Sequence, residues 1–256
     1  MRTMRRPGKT LPNDEARSPR VPLARAFESQ DAKRAYNRRA FAVIAPRYDL
    51  ATRLLSYGQD QRWKRRLVRL AAPRPGDRAL DLACGTGDIA LALASEGASV
   101  TGLDLTQPML LRARRRDGTG RIAWLAGDMQ RLPFDGGRFD LVTAGYGLRN
   151  VPGLDEALAE VRRVLRPGGR FLALDFNRPD PPWLDTAYRA YLSIVGAALG
   201  LVLHGDPDVY RYIAASLARY PGAAAVAGRL RRAGFDEVSW QPLLGGLMAI
   251  HVARVA

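Results

Sequence analysis

Short apolar segments alternate with amphipathic ones between residues 79 and 176, and this alternation constrains the fold more than any other feature of the sequence. Five segments are apolar and short enough to be buried strands: Ala79–Ala83, Ser99–Leu103, Ile122–Ala126, Phe139–Ala144 and Gly169–Phe176. Three segments between them are expected to be helices: Gly87–Ser95, Gln107–Arg116 and Leu154–Leu165. Strands that alternate with helices predict parallel β-α-β units, and therefore an α/β fold with a Rossmann-like, doubly wound sheet.

The C-terminal third is expected to complete this sheet. Residues 178–220 interrupt the alternation with a proline cluster and the apolar stretch Ala190–Leu203, which we interpret as a helical cap inserted into the domain. A helix at Ala223–Ala233 then precedes two strands, Glu237–Gln241 and Leu247–Val252. Two strands joined by a short loop predict an antiparallel hairpin. The sheet should therefore have seven strands, mostly parallel, with an antiparallel last strand.

The N-terminal residues are expected to lie outside this sheet. Residues 1–30 carry many prolines and arginines with little periodicity, which predicts a flexible basic tail. Residues 31–75 predict N-terminal helices at Ala32–Ile44 and Gln61–Leu70, with a break at Pro46–Asp49. The main domain should then span residues 76–256.

The net charge of +15 limits the classes of partner. Such a charge favours an anionic lipid surface or nucleic acid, although a solvated, arginine-rich surface explains it equally well. The stretch Ala190–Leu203 is shorter than the roughly 20 residues that span a bilayer, and no secretory signal is recognisable. We therefore expect a cytoplasmic protein, either soluble or peripheral at the inner face of the cytoplasmic membrane.

One cysteine and two histidines are too few for a disulfide or a His/Cys zinc cluster, so we expect no metal.

The segment Asp81–Asp88 follows the first predicted strand and opens a helix, which is where a ligand-binding glycine loop belongs. Gly85 and Gly87 let the chain turn tightly and let a ligand approach the backbone, and Thr86 lies between them. Together with Ala90 these glycines also satisfy the dinucleotide-binding fingerprint. The loop by itself is therefore also compatible with a nicotinamide dehydrogenase.

Acidic residues follow the next two predicted strands. Asp104 lies about 20 residues beyond the loop, where a carboxylate can accept both hydroxyls of an adenosine ribose. Asp128 follows the third strand, where it can accept the adenine amino group while the backbone N–H of Met129 reads the ring. Ligands bind at the carboxyl edge of a doubly wound sheet. The acids and the glycine loop therefore predict one adenosine-containing cofactor at this edge.

Further motifs resemble known families. With the turn Leu165-Arg-Pro-Gly-Gly-Arg170, the chain resembles class I S-adenosylmethionine-dependent methyltransferases over about residues 75–255. A closer resemblance rests on Gly145-Tyr-Gly-Leu-Arg-Asn-Val151, Ala45-Pro-Arg-Tyr-Asp-Leu50 and Leu174-Asp-Phe-Asn-Arg-Pro179. These motifs are similar to those of the ubiquinone/menaquinone biosynthesis C-methyltransferases, the UbiE-like family. Cys84 departs from the glycine usual there, and Gly145 stands where serine or another small residue is common.

The resemblance implies a cofactor, a substrate and a set of contacts. The cofactor is S-adenosylmethionine, with contacts from Thr86, Asp104, Asp128, Met129 and Gly145. The substrate is a polyprenylated quinol methylated on a ring carbon. We expect the naphthoquinol demethylmenaquinol, converted to menaquinol, as the acceptor; a ubiquinone-pathway benzoquinol is the alternative that also fits this resemblance.

The chemistry of such a substrate points to candidate catalytic residues. A quinol carbon becomes nucleophilic when the neighbouring hydroxyl loses its proton, and the pKa of a phenol lies near ~10. A base, or a cation that stabilises the phenolate, is therefore needed. We expect Arg149 to hold the developing oxyanion and Asn150 to orient the other quinol oxygen. Tyr48 and His251 are further candidates for polar contact or proton removal.

Other functions remain open at this stage. A nucleic-acid methyltransferase is suggested by the charge and by Asp180-Pro-Pro-Trp183, although that motif should follow the fourth strand rather than the fifth. A nicotinamide dehydrogenase would use the same fold, and another small or lipid acceptor would suit the same enzyme class. The sequence also leaves open whether two copies pair as a homodimer.

Overall fold

The computed structural model describes residues 22–256. Most of the predicted flexible tail, residues 1–21, lies outside the described residues. The remainder of that prediction is wrong, because Leu23–Phe27 form a 3-10 turn in which Ala26 is completely buried. Phe27 stacks on Tyr212 with 5.6 Å between the ring centroids. These apolar side chains are held by a surface of the cap, which the local sequence cannot reveal.

Three helices precede the sheet: α1 (Gln30–Ile44), α2 (Tyr48–Leu55) and α3 (Asp60–Ala71). The hydroxyl of Ser29 caps α1 by accepting a hydrogen bond of 3.0 Å from the backbone N–H of Ala32. The predicted break contains helical structure instead. Pro46 lies in a 3-10 turn, where its missing N–H costs nothing, and α2 begins directly after it.

Seven strands and six more helices follow. The strands are β1 (Arg78–Leu82), β2 (Ser99–Asp104), β3 (Ala123–Ala126), β4 (Phe139–Gly145), β5 (Leu165–Phe176), β6 (Glu237–Leu243) and β7 (Met248–Arg254). The helices between β1 and β5 are α4 (Asp88–Ser95), α5 (Gln107–Arg116) and α6 (Leu154–Val164). The seven strands form one sheet of order β3-β2-β1-β4-β5-β7-β6, in which β7 runs antiparallel to both of its neighbours. The predicted seven-stranded, mostly parallel sheet with an antiparallel last strand is confirmed.

Strand β5 begins earlier than expected. The segment predicted to be a turn before it is extended, because Phe139 pairs with Leu165 and Leu141 with Arg170 across an irregularity in the β4–β5 ladder. Gly168 takes a positive φ of 72° within this segment. The extra residues are absorbed by a bulge, and helix α6 therefore ends at Val164 rather than Leu165.

The cap consists of α7 (Pro182–His204) and α8 (Asp208–Leu217), and α9 (Ala223–Arg232) returns the chain to the sheet. The apolar stretch predicted to be too short for a bilayer belongs to a longer helix. Helix α7 has 23 residues and is long and apolar enough to cross a membrane by length and composition. A Cβ on Gly196 would lie 2.9 Å from the carbonyl oxygen of Tyr210, so this glycine allows α7 to pack closely on α8.

The sheet has an apolar layer on each face. One layer contains Val161 of α6 and Leu230 of α9, packed with Phe171 of β5. The other contains Leu67 of α3 and Leu93 of α4. Because both faces are covered, the inner strands are apolar on both sides.

Candidate active site

The glycine loop connects β1 to α4 at the carboxyl edge of the sheet. Gly85 and Gly87 take positive φ angles of 54° and 90°, which glycine adopts without steric cost. A Cβ on Gly87 would lie 2.6 Å from Cη2 of Trp124, so the close packing of the loop on β3 also requires glycine there. Gly87 therefore shapes the loop from behind, whereas Gly85 lines the cleft in front of it.

Asp104, at the end of β2, holds this loop in place. Its Oδ2 accepts a hydrogen bond of 2.9 Å from the backbone N–H of Gly85, and its Oδ1 accepts one of 2.8 Å from the N–H of Thr106. The residue is buried but lines the cleft. The expected carboxylate thus lies beside the glycine loop, as the spacing of the two motifs predicted.

Asp128 follows β3 by two residues and also lines the cleft, next to Met129. Its Oδ2 lies 2.7 Å from Nε of Arg34, which comes from helix α1. Its Oδ1 accepts a hydrogen bond of 2.9 Å from the N–H of Gln130. The carboxylate is therefore oriented from two sides and is tied to an N-terminal helix that covers the cleft.

Two further side chains of α1 bind the loop that follows β4. Lys33 Nζ donates hydrogen bonds to the carbonyl oxygens of Arg149 (3.1 Å) and Val151 (2.8 Å). Asn37 Nδ2 donates to the carbonyl oxygen of Asn150 at 2.6 Å. Burial, reinforced by the charge of Arg149, lowers the pKa of Lys33 to about 8. Helix α1 thus fixes the segment that carries two of the predicted catalytic residues, Arg149 and Asn150.

These elements enclose a cleft with an empty volume of about 690 Å³. Five of the eight predicted cofactor residues line it: Gly85, Asp104, Asp128, Met129 and Gly145. Two others, Asp81 and Thr86, line a smaller neighbouring cavity of about 310 Å³ that shares Gly85 and Gly145 with the cleft.

Asp81 supports the site from below rather than lining the main cleft. It is buried, and its oxygens accept hydrogen bonds from the Ala90 N–H (3.1 Å) and the Thr143 hydroxyl (2.8 Å). Desolvation raises the pKa of Asp81 to about 7. Asp81 therefore joins β1 to α4 and β4, and its role in cofactor binding stays a prediction.

A polar cluster behind the glycine loop fixes the start of α4. Lys64 Nζ lies 3.1 Å from Asp60 Oδ2 and 2.6 Å from Asp88 Oδ2, and Arg116 Nη2 lies 2.5 Å from Asp88 Oδ1. Desolvation acts to raise the pKa of Asp88, but the charge of Lys64 and the hydrogen bonds from Lys64, Arg116 and Gln61 outweigh it and hold that pKa at about 2. Asp88 therefore links α3, α4 and α5 around the loop.

A second cavity, with an empty volume of about 850 Å³, adjoins the cleft. Its walls are mostly aromatic and aliphatic side chains from the N-terminal helices, the cap and the sheet edge, among them Trp63, Phe176, Tyr188 and Tyr212. The two cavities share four lining residues: Phe41, Tyr48, Tyr146 and Asn150. A ligand in one cavity can therefore meet a ligand in the other at this boundary.

Arg149 is the charged side chain in the wall of the second cavity. It is buried, its Nη1 donates a hydrogen bond to the Ser216 hydroxyl, and its guanidinium carbon lies 4.8 Å from the centre of the Phe176 ring. Its Nε lies 3.5 Å from Asp175 Oδ1 but makes no hydrogen bond. Asn150 is oriented by a hydrogen bond of 2.8 Å from its Nδ2 to the Tyr146 carbonyl oxygen, and its buried Oδ1 has no partner among the described residues.

The two tyrosines at the boundary are protonated groups. Desolvation raises the pKa of Tyr48, and raises that of Tyr146 well above its ordinary value. The buried hydroxyl of Tyr146 makes no hydrogen bond within residues 22–256. Both hydroxyls can donate a hydrogen bond to a ligand, but neither is suited to remove a proton.

His251 was predicted as a candidate base, and the structure places it elsewhere. It lies in β7, buried, with its Nε2 2.9 Å from the carbonyl oxygen of Ala223, and it lines neither of the two cavities formed by the described residues. Burial lowers its pKa. Its ring joins β7 to α9, so we withdraw it as a catalytic candidate.

Sequence reasoning missed the contribution of helix α1. Arg34, Asn37 and Phe41 all line the cleft, although they lie about 45 residues or more before the glycine loop. Asn37 lies on the buried face of α1, together with Tyr36, Ala40 and Ile44. A polar residue on an otherwise apolar helix face was the available signal.

Solved structures confirm the fold. A methyltransferase described as S-adenosylmethionine-dependent, from Aquifex aeolicus, matches with a TM-score of 0.54 and 15% identity over 75% of this chain and 89% of its own. A possible histamine N-methyltransferase from Thermotoga maritima matches with a TM-score of 0.58 and 17% identity over 84% and 99%. The sheet order, the reversed β7 and the glycine-lined cleft define the Rossmann-like fold of the class that these methyltransferases share.

The chain belongs to the ubiE/COQ5 methyltransferase family, whose model matches residues 29–254. It is 44% identical over 216 residues to a demethylmenaquinone methyltransferase from Thermus thermophilus, covering 83% of this chain and 98% of the relative. It is 42% identical over 241 residues to a ubiquinone/menaquinone biosynthesis C-methyltransferase from Methylobacterium nodulans, covering 91% and 92%. The protein is therefore an S-adenosylmethionine-dependent methyltransferase, and the dehydrogenase alternative is excluded.

Proposed function

We propose that this enzyme methylates a ring carbon of a polyprenylated quinol. The proposed acceptor is demethylmenaquinol, and a ubiquinone-pathway benzoquinol is the second candidate. One observation carries the proposal: an aromatic cavity of about 850 Å³, with a buried arginine in its wall, meets the cofactor cleft at four shared residues. A flat, apolar ring with two oxygens suits such a cavity. The names of the relatives, which include demethylmenaquinone methyltransferases, support the same substrate class.

The residues of the cleft fit the adenosyl part of the cofactor. Asp104 offers a buried carboxylate beside the loop, suited to the ribose hydroxyls, and Asp128 offers one suited to the adenine amino group. Met109 and Met129 give the same cleft apolar surface against which an adenine ring can pack. Gly85 and Gly145 lie between these residues and the smaller cavity, where Thr86 is accessible to the methionine part.

S-adenosylmethionine supplies, when bound, a methyl group on a positively charged sulfur, which makes that methyl an electrophile. The protein must hold the acceptor ring so that its carbon faces the boundary between the two cavities. Phe41, Tyr48 and Tyr146 form this boundary with Asn150.

Arg149 is proposed to activate the acceptor. A guanidinium in a desolvated wall stabilises the phenolate over the phenol, which lowers the pKa of the bound quinol hydroxyl from its ordinary value of ~10. The hydroxyl proton passes to solvent, and the charge on the phenolate oxygen is delocalised onto the ring carbon that receives the methyl group. That carbon then gives up its own hydrogen as a proton to solvent, which restores the aromatic ring and the hydroxyl-bearing product. Asn150 and the hydroxyls of Tyr48 and Tyr146 are proposed to orient the oxygens of the ring by hydrogen bonds.

A nucleic-acid acceptor has less support. The motif Asp180-Pro-Pro-Trp183 lies between β5 and the start of α7, and within the described part of the chain none of its residues lines either cavity. Trp183 is 69% exposed. A flipped base would need an aromatic residue of that motif at the boundary, which is occupied by Tyr146 instead.

Quinone profiling tests the proposed function. We expect cells that lack the gene to accumulate a quinone lighter by one methyl group, and the intact gene to restore the methylated form. The purified enzyme should transfer the methyl group of S-adenosylmethionine to the reduced quinol and not to the oxidised quinone, which has no phenolate. An unchanged quinone profile together with loss of a methylated RNA base would refute the proposal.

Two further expectations belong to the same proposal. The enzyme is expected to act on the cytoplasmic side, at the surface of the membrane that holds its acceptor, because a polyprenyl tail keeps the quinol in lipid. Self-association into a homodimer stays a prediction, and sedimentation of the purified protein tests it.

A further inference from the structure

Helix α7 exposes an apolar stripe along its outer side. No charged residue occurs between Arg189 and His204. Ile194 is 70% exposed and Val202 is 78% exposed, and only 17% of the most apolar 18-residue window of the helix is buried. The opposite side of the helix packs on α8 through Gly196, and on the turn before α8 through Gly200. An apolar helix face of this length that meets no other part of the described chain has a partner outside it.

Helix α2 extends this apolar surface. Leu50 and Leu54 are each 48% exposed and lie four residues apart on the same side of α2. The two helices are neighbours, because Leu55 of α2 packs in the same cluster as Leu199 and Leu203 of α7. We call the exposed side chains Leu50, Leu54, Tyr57, Ile194, Leu201 and Val202 the docking face.

The docking face reaches the mouth of the acceptor cavity. Tyr57 is 62% exposed and also lines that cavity, and its ring stacks on Tyr191 of α7 with 6.1 Å between the centroids. Leu244, which follows β6, is likewise both exposed and part of the cavity wall. A ligand that enters between these two side chains passes directly from the docking face to Arg149.

The charge of the protein favours one occupant over another. Arg47 and Arg53 are exposed on either side of Leu50, and Arg47 also donates a hydrogen bond to the carbonyl oxygen of Leu203 at the end of α7. A second copy of the chain, which has the same net charge of +15, would bring the same arginines to the interface. A bilayer with anionic headgroups has the complementary charge, and its acyl region accepts the apolar side chains between those arginines.

We propose that the docking face rests on the surface of a bilayer that contains anionic lipids. The side chains of α2 and α7 enter the boundary between headgroups and acyl chains, with α7 parallel to the membrane surface and its inner side still packed on α8. The mouth between Tyr57 and Leu244 then opens into the lipid, so a lipid acceptor enters the cavity sideways without crossing water. This last step rests on the proposed function, whereas the contact with the membrane does not.

Vesicle flotation tests the contact. The purified protein is mixed with vesicles of phosphatidylcholine and phosphatidylglycerol, or of phosphatidylcholine alone, at low and high salt. We expect binding to the anionic vesicles that weakens at high salt and on neutral vesicles. The variant I194E/V202E should bind at least about tenfold more weakly, since two large apolar side chains no longer enter the lipid. The control W240E changes an exposed aromatic residue of β6, outside the docking face, and should bind like the unaltered protein.

Three outcomes would overturn the proposal. They are no binding of the unaltered protein to anionic vesicles, equal binding by I194E/V202E, or a dimer in sedimentation that I194E/V202E converts to a monomer. Thermal unfolding of both variants confirms that they are folded.

Methyl transfer distinguishes this proposal from the proposed function. With a short-chain quinol dissolved in buffer, I194E/V202E should transfer methyl groups at the same rate as the unaltered enzyme. With a long-chain quinol in vesicles, the rate of methyl transfer by I194E/V202E should fall by about the same factor as its binding to those vesicles. An enzyme that binds the vesicles but methylates neither quinol would refute the proposed function and leave the docking face intact.

Discussion

Arg149 and Asp175 form a buried ion pair in the wall of the acceptor cavity, with Nε of the arginine 3.5 Å from Oδ1 of the aspartate. Asp175 also accepts a hydrogen bond of 3.0 Å from the backbone N–H of Arg149, so it fixes both the chain and the guanidinium. Burial raises the pKa of Asp175, and the charge of Arg149 opposes that shift. The pair places a buried cation in the wall of the proposed ring site, where its effect on a phenolate is larger than it would be in water.

Replacing Arg149 should lower the rate of methyl transfer without weakening cofactor binding. We expect R149Q to reduce kcat by about 10²- to 10³-fold, the effect of removing one preorganised charge-stabilising group. R149K keeps a cation and should recover part of the loss, and raising the pH toward the pKa of the quinol should narrow the difference. Stopped assays on folded variants measure kcat, and calorimetry measures cofactor affinity. A normal kcat for folded R149Q would remove Arg149 from the mechanism.

Removing the other partner of the pair should destabilise the fold. D175A leaves the charge of Arg149 buried and unpaired, which costs about 3–5 kcal/mol of unfolding free energy. The double variant R149M/D175A removes both charges and should recover part of that cost. Urea unfolding measures both. If the two variants lose equal stability, the aspartate contributes by packing and not by its charge.

Asp104 should control the affinity for the cofactor. We expect D104A to weaken S-adenosylmethionine binding at least tenfold, because hydrogen bonds to a charged group contribute about 1.5–3 kcal/mol. The loop also loses the acceptor for the Gly85 N–H, so the effect combines contact and positioning. Titration calorimetry measures it, with the exposed D135A as the matched control. Equal affinities for D104A and D135A would contradict the ribose assignment.

Two glycines of the site should differ in their tolerance of a methyl group. In G87A the Cβ meets the Trp124 ring at 2.6 Å, and alanine is strained at a φ of 90°. A loss of roughly 2–4 kcal/mol follows from the backbone and packing costs together. In G145A the Cβ meets only the terminal Cδ1 of Ile89, a flexible side-chain end, and φ is not positive. We expect G145A to lose less than about 1.5 kcal/mol of unfolding free energy, measured by urea unfolding. If G145A loses more stability than G87A, the loop packs differently.

Asp88 should make the fold sensitive to acid. Its folded pKa of about 2 lies below its ordinary value of 3.8, so its contribution is fully present above about pH 4 and is lost as the pH falls toward 2. A shift of this size corresponds to roughly 2 kcal/mol. The stability difference between the unaltered protein and D88N should therefore shrink over that range when unfolding is followed at several pH values. A difference that stays constant would mean that Asp88 acts through hydrogen bonds alone.

The sequence was sufficient for the sheet and for the loop at its edge. The strands alternate with helices, Asp81–Asp88 follows the first strand, and Asp104 comes at the end of the second; these are local patterns with a fixed geometric meaning. Two predicted element boundaries were wrong. At Leu165 an irregular part of the β4–β5 ladder replaces the expected turn, and at Pro46 a 3-10 turn replaces the expected break. Both depend on pairing or packing with residues elsewhere in the chain.

The roles of individual residues needed the tertiary structure. Asp81 and His251 have the residue types of a binding and a catalytic group, but only the fold reveals that hydrogen bonds to Ala90 and Ala223 hold them inside the protein. Arg34 and Asn37 reach the cleft because α1 folds back over it. The sequence by itself determined the class of fold and the edge at which the cofactor belongs, since short-range periodicity and glycine conformation set these. The tertiary structure alone decided which polar groups face a cavity, because burial and long-range contacts are properties of the packed chain.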